Sequence, residues 1–387
     1  MVKAIKVMLI PNNVQKTKMF QYAGASRFAY NWALAREKEN YEKGGKFISD
    51  SELRKEFTKL RHSDEYAWLL SISNNVTKQA IKDACTAYKN FFKGLQKFPR
   101  FKSKKRSMPK FYQDNVKIQF SNTHVKFEGF SSSRKANKQK MNWVRLAEHG
   151  RIPTDVKYMN PRISFDGLNW WISVCVEFPD CRETLNDDGV GIDLGIKDLA
   201  VCSDGTKYKN INKSQKVKKS EKQKRRLQRS ISRSYEKNKK GESYCKTNNV
   251  IKKEKLLLKR NHRLTNIRKN YLNQTISEII NRKPRFICIE DLNVSGMMKN
   301  RHLSKAVQEQ GFFWFRKQLE YRCSDKGIQL IVADRFYPSS KLCSCCGNIK
   351  KDLKLSDRVY RCACGNMIDR DFQASINLKT YGEKFAG

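Results

Sequence analysis

Two closely spaced cysteine pairs near the C-terminus constrain the local fold more than any other feature of this sequence. Two residues separate Cys343 from Cys346, one separates Cys362 from Cys364, and a glycine follows each pair. Such pairs let two thiolates reach one ion while the glycine allows a tight turn, and two pairs together form a tetrahedral Zn²⁺ site. We therefore predict one structural zinc ion, held by Cys343, Cys346, Cys362 and Cys364. Cys345 could replace either neighbouring cysteine, and the sequence leaves that choice open.

The remaining cysteines bear on the compartment. The chain has 387 residues and 12 cysteines, of which five lie between positions 343 and 364. Scattered thiols in a large lysine-rich chain without an export signal indicate reduced cysteines, so we expect a cytoplasmic protein. No apolar run approaches the length of a membrane-spanning helix, and we expect no membrane partner.

The net charge indicates the class of partner. Eighty Lys and Arg against 38 Asp and Glu give a formal charge of +42. A chain with that charge repels itself, so a polyanion is the expected companion. Because the basic residues are spread over the whole length among Tyr, Phe and Trp, nucleic acid is the expected partner.

One basic segment is a specific candidate for nucleic-acid contact. Residues 93–110 contain Lys, Arg, Pro and Ser, with Phe98 and Phe101 between them. Cations hold phosphates while aromatic rings stack on bases, which favours a role in binding. The predicted contacts are Arg100, Lys102, Lys104 and Lys105.

Hydrophobic periodicity divides the N-terminal half into a β region and a helical region. Residues 1–11 and 111–182 contain short alternating segments, which predict an antiparallel β-barrel. Residues 12–110 carry apolar residues at three- and four-residue steps and predict a helical insertion that ends in the basic linker.

Strands alternate with helices in the C-terminal half, which is typical of an α/β unit. We assign residues 183–334 and 366–387 to this unit, and residues 335–365 to a zinc-ribbon insertion within it. The predicted fold class is therefore multi-domain, α/β plus α+β.

Three acidic residues of the predicted α/β unit are candidates for chemistry. Asp193 lies within an apolar strand, Glu290 ends another, and Asp371 opens a segment with helical periodicity. An acid in an apolar strand is costly unless something pairs with it, and a divalent metal is the natural partner. The pattern is that of a ribonuclease-H-like nuclease, in which acids hold two Mg²⁺ ions that activate water and stabilise the leaving oxygen. Close rivals for individual places are Asp198, Asp291 and Asp369.

Several segments resemble the TnpB family of transposon-encoded RNA-guided DNA nucleases, which are related to CRISPR type V effectors. They are GIDLGIKDLA, IEDLNVSGM, DRFYPSSKLCSCCG, CACG and DRDFQASINL, with GASRFAYNWAL, AYKNFFKG and FPRFKSK nearer the N-terminus. By this resemblance Asp193, Glu290 and Asp371 take the three RuvC-type catalytic positions and bind two Mg²⁺ ions. Asp371 is favoured over Asp369 because it directly precedes the third motif of the family.

The resemblance also implies a domain plan and partners. The barrel would be a wedge domain, the helical insertion a recognition domain, and the α/β unit a RuvC-like nuclease domain. The expected partners are a guide RNA made from the transposon end and double-stranded target DNA, in a monomeric complex in the prokaryotic cytoplasm or nucleoid. Guide pairing would read the target, and the protein would read a short adjacent motif. Lys78 and Gln79 are candidates for base contacts, because both side chains can reach base edges in the major groove.

Other functions are compatible with parts of the pattern. A compact CRISPR type V effector would share the same motifs, and the chain does not distinguish it from a transposon nuclease. A nuclease-silent RNA-guided regulator would be expected to lack one of the acids, and all three are present. A protein-guided transposase or resolvase could use the same α/β core. The guide sequence, adjacent motif and cleavage pattern also stay open.

Overall fold

Residues 2–130, 141–179, 182–241, 243–354 and 357–386 are described by a computed structural model of the chain. The chain divides into two compact units, Met1–Pro179 and Asp180–Gly387. Within the described ranges, no helix combines the length and the apolar character that crossing a membrane requires.

In the N-terminal unit, the described residues form a strand, a group of helices and then six further strands. Strand β1 spans Val2–Ile10 and is followed by helices α1 (Asn13–Glu42), α2 (Asp50–Arg61) and α3 (Asn74–Phe92), with a 3₁₀ segment (Asp64–Ser71) before α3. The later strands are β2 (Lys110–Tyr112), β3 (Gln119–Phe120), β4 (His124–Lys126), β5 (Trp143–Leu146), β6 (Tyr158–Phe165) and β7 (Trp170–Glu177). Helices α1 to α3 thus lie between β1 and the later strands of the unit.

The seven strands form an open sheet, so the prediction of a β-barrel is wrong. Their order is β2-β6-β7-β1-β5-β4-β3, and neighbouring strands are antiparallel. Strand β1 is central and pairs with β7 from Val2↔Glu177 to Leu9↔Trp170. The edge strands β2 and β3 contain three and two residues. A barrel closes only when its outer strands offer each other a continuous ladder, and these two are too short to do so.

The helices and the sheet of this unit share one hydrophobic core. Alternate residues of β7 are buried, as expected for a strand with one face on the core. Trp170 and Val174 belong to the same buried cluster as Met19 and Ala33 of α1 and Ile81 of α3. The helical segment is thus packed onto the sheet that precedes and follows it.

The C-terminal unit begins with the strands β8 (Val190–Leu194), β9 (Asp198–Cys202) and β10 (Lys207–Lys209). Next come helix α4 (Gln215–Lys237), strands β11 (Lys239–Lys240) and β12 (Ser243–Tyr244), and helix α5 (Asn248–Asn281). Further elements are β13 (Phe286–Glu290), α6 (Val294–Met297), α7 (Ser304–Gln310), α8 (Phe312–Lys326), β14 (Gln329–Ala333), β15 (Val359–Arg361), β16 (Met367–Asp369) and α9 (Arg370–Glu383).

A five-stranded sheet organises this unit, with the order β10-β9-β8-β13-β14. Strands β8, β13 and β14 run parallel, while β9 and β10 are antiparallel. One face of the sheet packs on α5 and α8, where Ile192 and Ile289 lie in one cluster with Ile276 and Phe315. The other face carries α9. The sheet and its flanking helices confirm the mixed α/β prediction.

A glycine on β8 allows α9 to approach the sheet closely. A Cβ atom placed on Gly191 would overlap the carbonyl oxygen of Ser375 and the backbone nitrogen of Lys379. A Cβ atom on Gly382, near the end of α9, would overlap the ring of Phe286 in β13. Helix α9 is therefore seated with its backbone against the strands, and small residues at both surfaces are required.

We expect Gly191→Ala to lower the free energy of unfolding by about 3 kcal/mol, the upper end for overpacking, because its new methyl group meets backbone atoms that cannot rotate away. The control is Gly24→Ala in α1, where a Cβ atom meets nothing within 4 Å. That substitution should be neutral or stabilising by up to about 1 kcal/mol. Urea unfolding followed by circular dichroism compares the two, and hydrogen exchange of the α9 peptide locates the effect. Equal midpoints would show that α9 is not seated as described.

Candidate active site and metal centre

Two of the three predicted acids lie at neighbouring ends of parallel strands. The pairing of β8 with β13 runs from Ile287↔Val190 to Ile289↔Ile192, so Asp193 and Glu290 follow at adjacent positions. Side chains alternate along a strand, so Asp193 shares the face of Gly191, two residues earlier. That is the face on which α9 packs. By the same alternation, Glu290 shares the face of Cys288, which clusters with Leu378 of α9. The two acids therefore lie on the side of the sheet that α9 covers.

Helix α9 brings the third acid to the same place. Asp371 lies in its first turn, and Ser375, four residues later, meets Gly191 on β8. One helical turn separates these two residues, so they lie on one side of the helix. The charge of Asp371 acts on the pKa of both Asp193 and Glu290, which places the three carboxylates in one electrostatic neighbourhood.

This neighbourhood disfavours negative charge. Burial, followed by the charges of Glu290 and Asp371, raises the pKa of Asp193 well above its ordinary value, with Arg370 opposing the shift. Burial also raises the pKa of Glu290, against a hydrogen bond from Ser339. A bound cation would relieve this mutual repulsion. Carboxylate oxygens are hard donors of the kind that Mg²⁺ prefers, so these residues fit that ion.

Asp369, a rival to Asp371, has a structural role at the start of α9. Its side chain is the N-cap and accepts hydrogen bonds from the backbone N–H groups of Asp371 at 3.1 Å and Phe372 at 3.0 Å. Burial opposes ionisation, but the bond from Phe372 and the charge of Lys207 outweigh it and lower the pKa of Asp369. This carboxylate is satisfied as a cap.

The other two candidate acids, Asp291 and Asp198, also interact with groups outside the site. Asp291 forms ion pairs with Arg316, at 2.7 Å, and with Arg335. Asp198 acts on the pKa of Tyr271 in α5, which lies on the opposite face of the sheet from α9. The charge of Asp369 also acts on the pKa of Asp193, but its carboxylate is held as the cap of α9, so Asp193, Glu290 and Asp371 are the grouped acids left to hold a metal.

A serine that sequence analysis missed contacts the site. The Ser339 hydroxyl donates a hydrogen bond to Oε1 of Glu290. The side-chain amide of Asn377 in α9 donates to the carbonyl oxygens of Ser339 and Leu342, each at 2.7 Å. Both Ser339 and Asn377 are buried. Neither residue type is diagnostic, and only the packing of α9 against the segment after β14 reveals the contact.

The four predicted zinc ligands come together, and Cys345 stays outside their group. Among the described residues, these four form the one group of His, Cys, Asp or Glu with ligand atoms all within 4.8 Å of one another. The Sγ atoms of Cys343 and Cys364 are 3.7 Å apart, and those of Cys346 and Cys362 are 3.5 Å apart. Tetrahedral thiolates at about 2.3 Å from zinc would be about 3.8 Å apart. The cluster therefore fits a zinc ion, whereas the three carboxylates are less tightly gathered.

The glycines after each cysteine pair have the predicted conformational role. Gly347 and Gly365 adopt positive φ angles of 73° and 90°. Their N–H groups donate to the carbonyl oxygens of Cys343 at 3.0 Å and Cys362 at 3.1 Å. Each pair thus sits in a tight turn that a side chain at the glycine would strain.

A buried glutamine fastens this cysteine cluster to α9. Gln373 is fully buried, and its amide donates to the carbonyl oxygen of Leu342 at 2.8 Å. Its Oε1 accepts from Asn366 at 2.9 Å and from Ser344 at 3.2 Å. The Gln373 side chain thus connects α9 to the segment that carries the cysteines.

The candidates for base contact on α3 differ in availability. Lys78 is exposed. The amide of Gln79 donates to Asp83 at 2.9 Å, and Asp83 is held by Arg162 at 2.7 Å. Gln79 would have to leave this network to contact a base, so Lys78 is the freer of the two predicted residues.

The basic linker is attached to α1 through Lys102. Asn31 binds both the backbone N–H and the carbonyl oxygen of Lys102, each at 2.8 Å. The ammonium group lies over the Tyr30 ring, and burial lowers the pKa of Lys102 to about 7. This lysine is an anchor of the linker, while Arg100, Lys104 and Lys105 are exposed and stay predicted contacts.

Three family models match separate parts of the chain. Residues 173–301 match a model described as "Probable transposase", and residues 312–378 match the "Cas12f1-like, TNB domain". Residues 1–46 match a model described as "Helix-turn-helix domain". Together these models cover the strand that carries Asp193, the strand that carries Glu290, and the cysteine cluster with most of α9.

Relatives and a solved structure extend the likeness over the whole chain. The solved "Cas12f1-sgRNA-target DNA complex" matches the fold with a TM-score of 0.63 at 12% identity, covering 98% of both chains. "Putative RNA-guided DNA endonuclease" of Streptomyces pristinaespiralis is 28% identical, over 98% of this chain and 89% of that protein. "Putative RNA-guided DNA endonuclease InsQ" of Escherichia coli K12 is 30% identical over 378 residues, 93% of this chain and 87% of that protein. The chain therefore belongs to the TnpB family of RNA-guided DNA endonucleases.

Proposed function

We propose that the protein is an RNA-guided, Mg²⁺-dependent DNA endonuclease with one RuvC-type site. It binds a guide RNA derived from a transposon end, recognises a short motif beside the target, and cleaves DNA complementary to the guide. The observation that carries this proposal is the convergence of Asp193, Glu290 and Asp371 on one face of the five-stranded sheet. The sheet register supports it, because the strands that carry Asp193 and Glu290 are adjacent and parallel.

Asp193, Glu290 and Asp371 would hold the two catalytic Mg²⁺ ions. When bound, Mg²⁺ activates a water molecule and stabilises the leaving oxygen of a phosphodiester. The protein's own groups prepare the site. Ser339 fixes one oxygen of Glu290 by its hydrogen bond, and the Asp369 cap fixes the turn that carries Asp371. Arg370 lies 3.4 Å from Asp371 and compensates part of the negative charge.

The zinc ion has a structural role in this proposal. Four thiolate ligands close the coordination sphere, so no position is left for water or substrate. The ribbon, residues 335–365, would contact target nucleic acid beside the nuclease domain of residues 183–334 and 366–387. Residues 1–11 and 111–182 would form the wedge domain, and residues 12–110 the recognition domain.

A basic surface on α4 supports nucleic-acid binding by the C-terminal unit. A cavity of about 560 Å³ lies along this helix. Its basic lining residues are Lys218, Lys222, Arg225, Arg226, Arg229 and Lys305. Two acids, Glu221 and Glu309, also line the cavity, so the cations are in excess. An excess of cations on one concave surface suits a phosphate backbone, and we propose guide RNA or target DNA as its ligand in a monomeric complex.

We expect Asp193→Asn, Glu290→Gln and Asp371→Asn each to lower target cleavage by about a thousandfold, because a metal ligand contributes several kcal/mol to transition-state stabilisation. Guide RNA binding should stay unchanged. For Asp193→Asn and Glu290→Gln, removal of a carboxylate whose pKa is raised should leave the metal-free melting temperature equal or higher. Cleavage with purified guide complexes, together with calorimetry, tests both expectations. Full cutting by all three variants would refute the site.

Asp369→Asn is the matched control for Asp371→Asn. Asparagine also caps helices well, so this variant should keep α9 while removing a nearby negative charge. We expect it to keep cutting at a rate within about tenfold of the unmodified protein, since a cap substitution costs about 1 kcal/mol at most. Loss of cutting in Asp369→Asn with retention in Asp371→Asn would exchange the two assignments.

We expect the purified protein to contain one zinc ion per chain, and Cys346→Ser to lose it with a lower melting temperature. Cys345→Ser is the matched control, because Cys345 is exposed and lies outside the thiolate group. It should keep both the metal and the melting temperature. Elemental analysis by mass spectrometry and differential scanning calorimetry provide the two readouts. Zinc loss in Cys345→Ser instead of Cys346→Ser would reverse the ligand assignment.

A further inference from the structure

A cavity of about 240 Å³ opens among aromatic rings at the C-terminal ends of α1 and α3, and we call it the aromatic cavity. The rings of Phe91 and Phe98 are 5.2 Å apart, and those of Tyr88 and Phe98 are 5.6 Å apart. Phe92 and Phe98 nevertheless expose 61% and 52% of their surface. Clustered exposed rings around a concave site indicate a ligand, because such surface is costly to leave in water.

Glu37 lies in the wall of this cavity, and one of its two carboxylate oxygens lacks a hydrogen-bond partner among the described residues. Glu37 is only 5% exposed, and its Oε2 accepts a hydrogen bond from the backbone N–H of Ile48 at 3.3 Å. In the part of the chain that the structure describes, Oε1 of Glu37 has no hydrogen-bond partner. A buried acceptor without a donor is destabilising, so a ligand that supplies a donor would be favoured here.

The surroundings of the cavity are cationic. Lys46, Lys93 and Lys97 are each adjacent in sequence to a lining phenylalanine. The ammonium of Lys89 lies 5.6 Å from the centre of the Phe47 ring. This charge favours an anionic ligand that also carries a planar apolar group and a hydrogen-bond donor. A nucleotide combines all three properties.

We propose that the aromatic cavity binds one unstacked nucleobase with an exocyclic amino group, from the nucleic acid that the protein holds. The inference rests on the proposed function in that nucleic acid is the partner. The exposed rings would stack on the base, the lysines would hold its phosphates, and Oε1 of Glu37 would accept from the amino group. Glutamate accepts in this way from N4 of cytosine. The volume is below the roughly 300–1,000 Å³ of sites for drug-sized molecules, which suits a single base.

The proposal predicts discrimination between cytosine and uracil. Cytosine offers an amino group where uracil offers a carbonyl oxygen, and that oxygen would meet the acceptor Oε1 of Glu37. Glu37→Gln provides a sharp test, because the hydrogen bond from the Ile48 N–H fixes the orientation of the new side-chain amide. The glutamine oxygen must stay opposite the Ile48 N–H, so the NH₂ group takes the Oε1 position. An acceptor is thereby replaced by a donor.

The experiment measures binding of fluorescein-labelled oligocytidylate and oligouridylate of equal length by fluorescence anisotropy, with the full chain at one salt concentration. We expect Glu37→Gln to lower the preference for oligocytidylate by about tenfold, the effect of one base-edge hydrogen-bond contact. Glu65→Gln is the matched control, since it removes the same charge at an exposed position of this unit. It should keep the preference of the unmodified protein.

Phe92→Ala provides a second, independent measurement. Loss of one stacking ring should weaken binding of both oligonucleotides by about tenfold without changing their ratio. Sedimentation velocity of the protein alone tests another occupant, a second copy of the chain. A change in mass caused by Phe92→Ala would show that the rings mediate self-association, and would overturn the proposal.

An unchanged cytosine-to-uracil ratio in Glu37→Gln would also overturn the proposal. Guide RNA binding and target cleavage are measured on the same preparations. If both remain while the ratio does not respond, the cavity assignment fails and the proposed function stands. If the unmodified protein binds neither guide RNA nor the oligonucleotides, the proposed function fails with it. Calorimetry on each variant confirms that the N-terminal unit is folded.

Discussion

Repulsion among three carboxylates is the constraint on which the C-terminal unit depends. Asp193, Glu290 and Asp371 lie in one electrostatic neighbourhood, and burial raises the pKa of Asp193 and Glu290. In a low-dielectric setting such neighbours cannot all ionise without a compensating cation. The fold must therefore supply enough packing elsewhere to hold α9 against the sheet in the absence of metal. Gly191 contributes by allowing backbone contact at the point nearest the acids.

The apolar packing between α9 and the sheet is limited, so contacts with the cysteine ribbon help to hold α9 in place. The buried apolar cluster on that face consists of Phe286, Cys288, Ile331, Ala333 and Leu378, whereas the opposite face carries a much larger cluster. Buried amides make up part of the difference, because Gln373 and Asn377 of α9 both bind the carbonyl oxygen of Leu342, next to Cys343. Asn377 also binds the segment whose Ser339 contacts Glu290. Closing the thiolate site thus restrains the same segment that orients a candidate metal ligand.

Features with strong local signals were predictable from the sequence. The spacing of the cysteines and the acids inside apolar runs each identify a chemistry within a few residues, and the structure gathers both sets. The choice between Asp369 and Asp371 as the third acid was harder to predict. It depends on which carboxylate accepts hydrogen bonds from the backbone N–H groups at the start of α9, and the sequence does not show this. The barrel prediction failed because strand patterning does not reveal that β2 and β3 are too short to meet.

Contacts between distant segments left no local signal. Ser339 and Asn377 are ordinary residues whose role appears only when α9 packs beside the ribbon. Lys102 lies in a basic segment, as expected of a phosphate contact. Its ammonium group nevertheless lies over the Tyr30 ring, because Asn31 anchors its backbone. Tyr88 of α3 is buried, whereas Phe92, one helical turn later on the same side of the helix, exposes 61% of its surface. The distinction depends on the loops after each helix, which periodicity does not describe.

Affinity and selectivity for nucleic acid have different origins in this chain. A net charge of +42 supplies affinity for any nucleic acid, because phosphate contacts carry no sequence information. Selectivity requires contacts with base edges, and an acceptor that reads an exocyclic amino group is one that lysine and arginine cannot supply. Glu37 is such a group, since it is buried in the wall of the aromatic cavity and its Oε1 has no hydrogen-bond partner among the described residues. In a strongly basic protein, a buried and unsatisfied carboxylate is therefore more informative about what is bound than any of the exposed lysines.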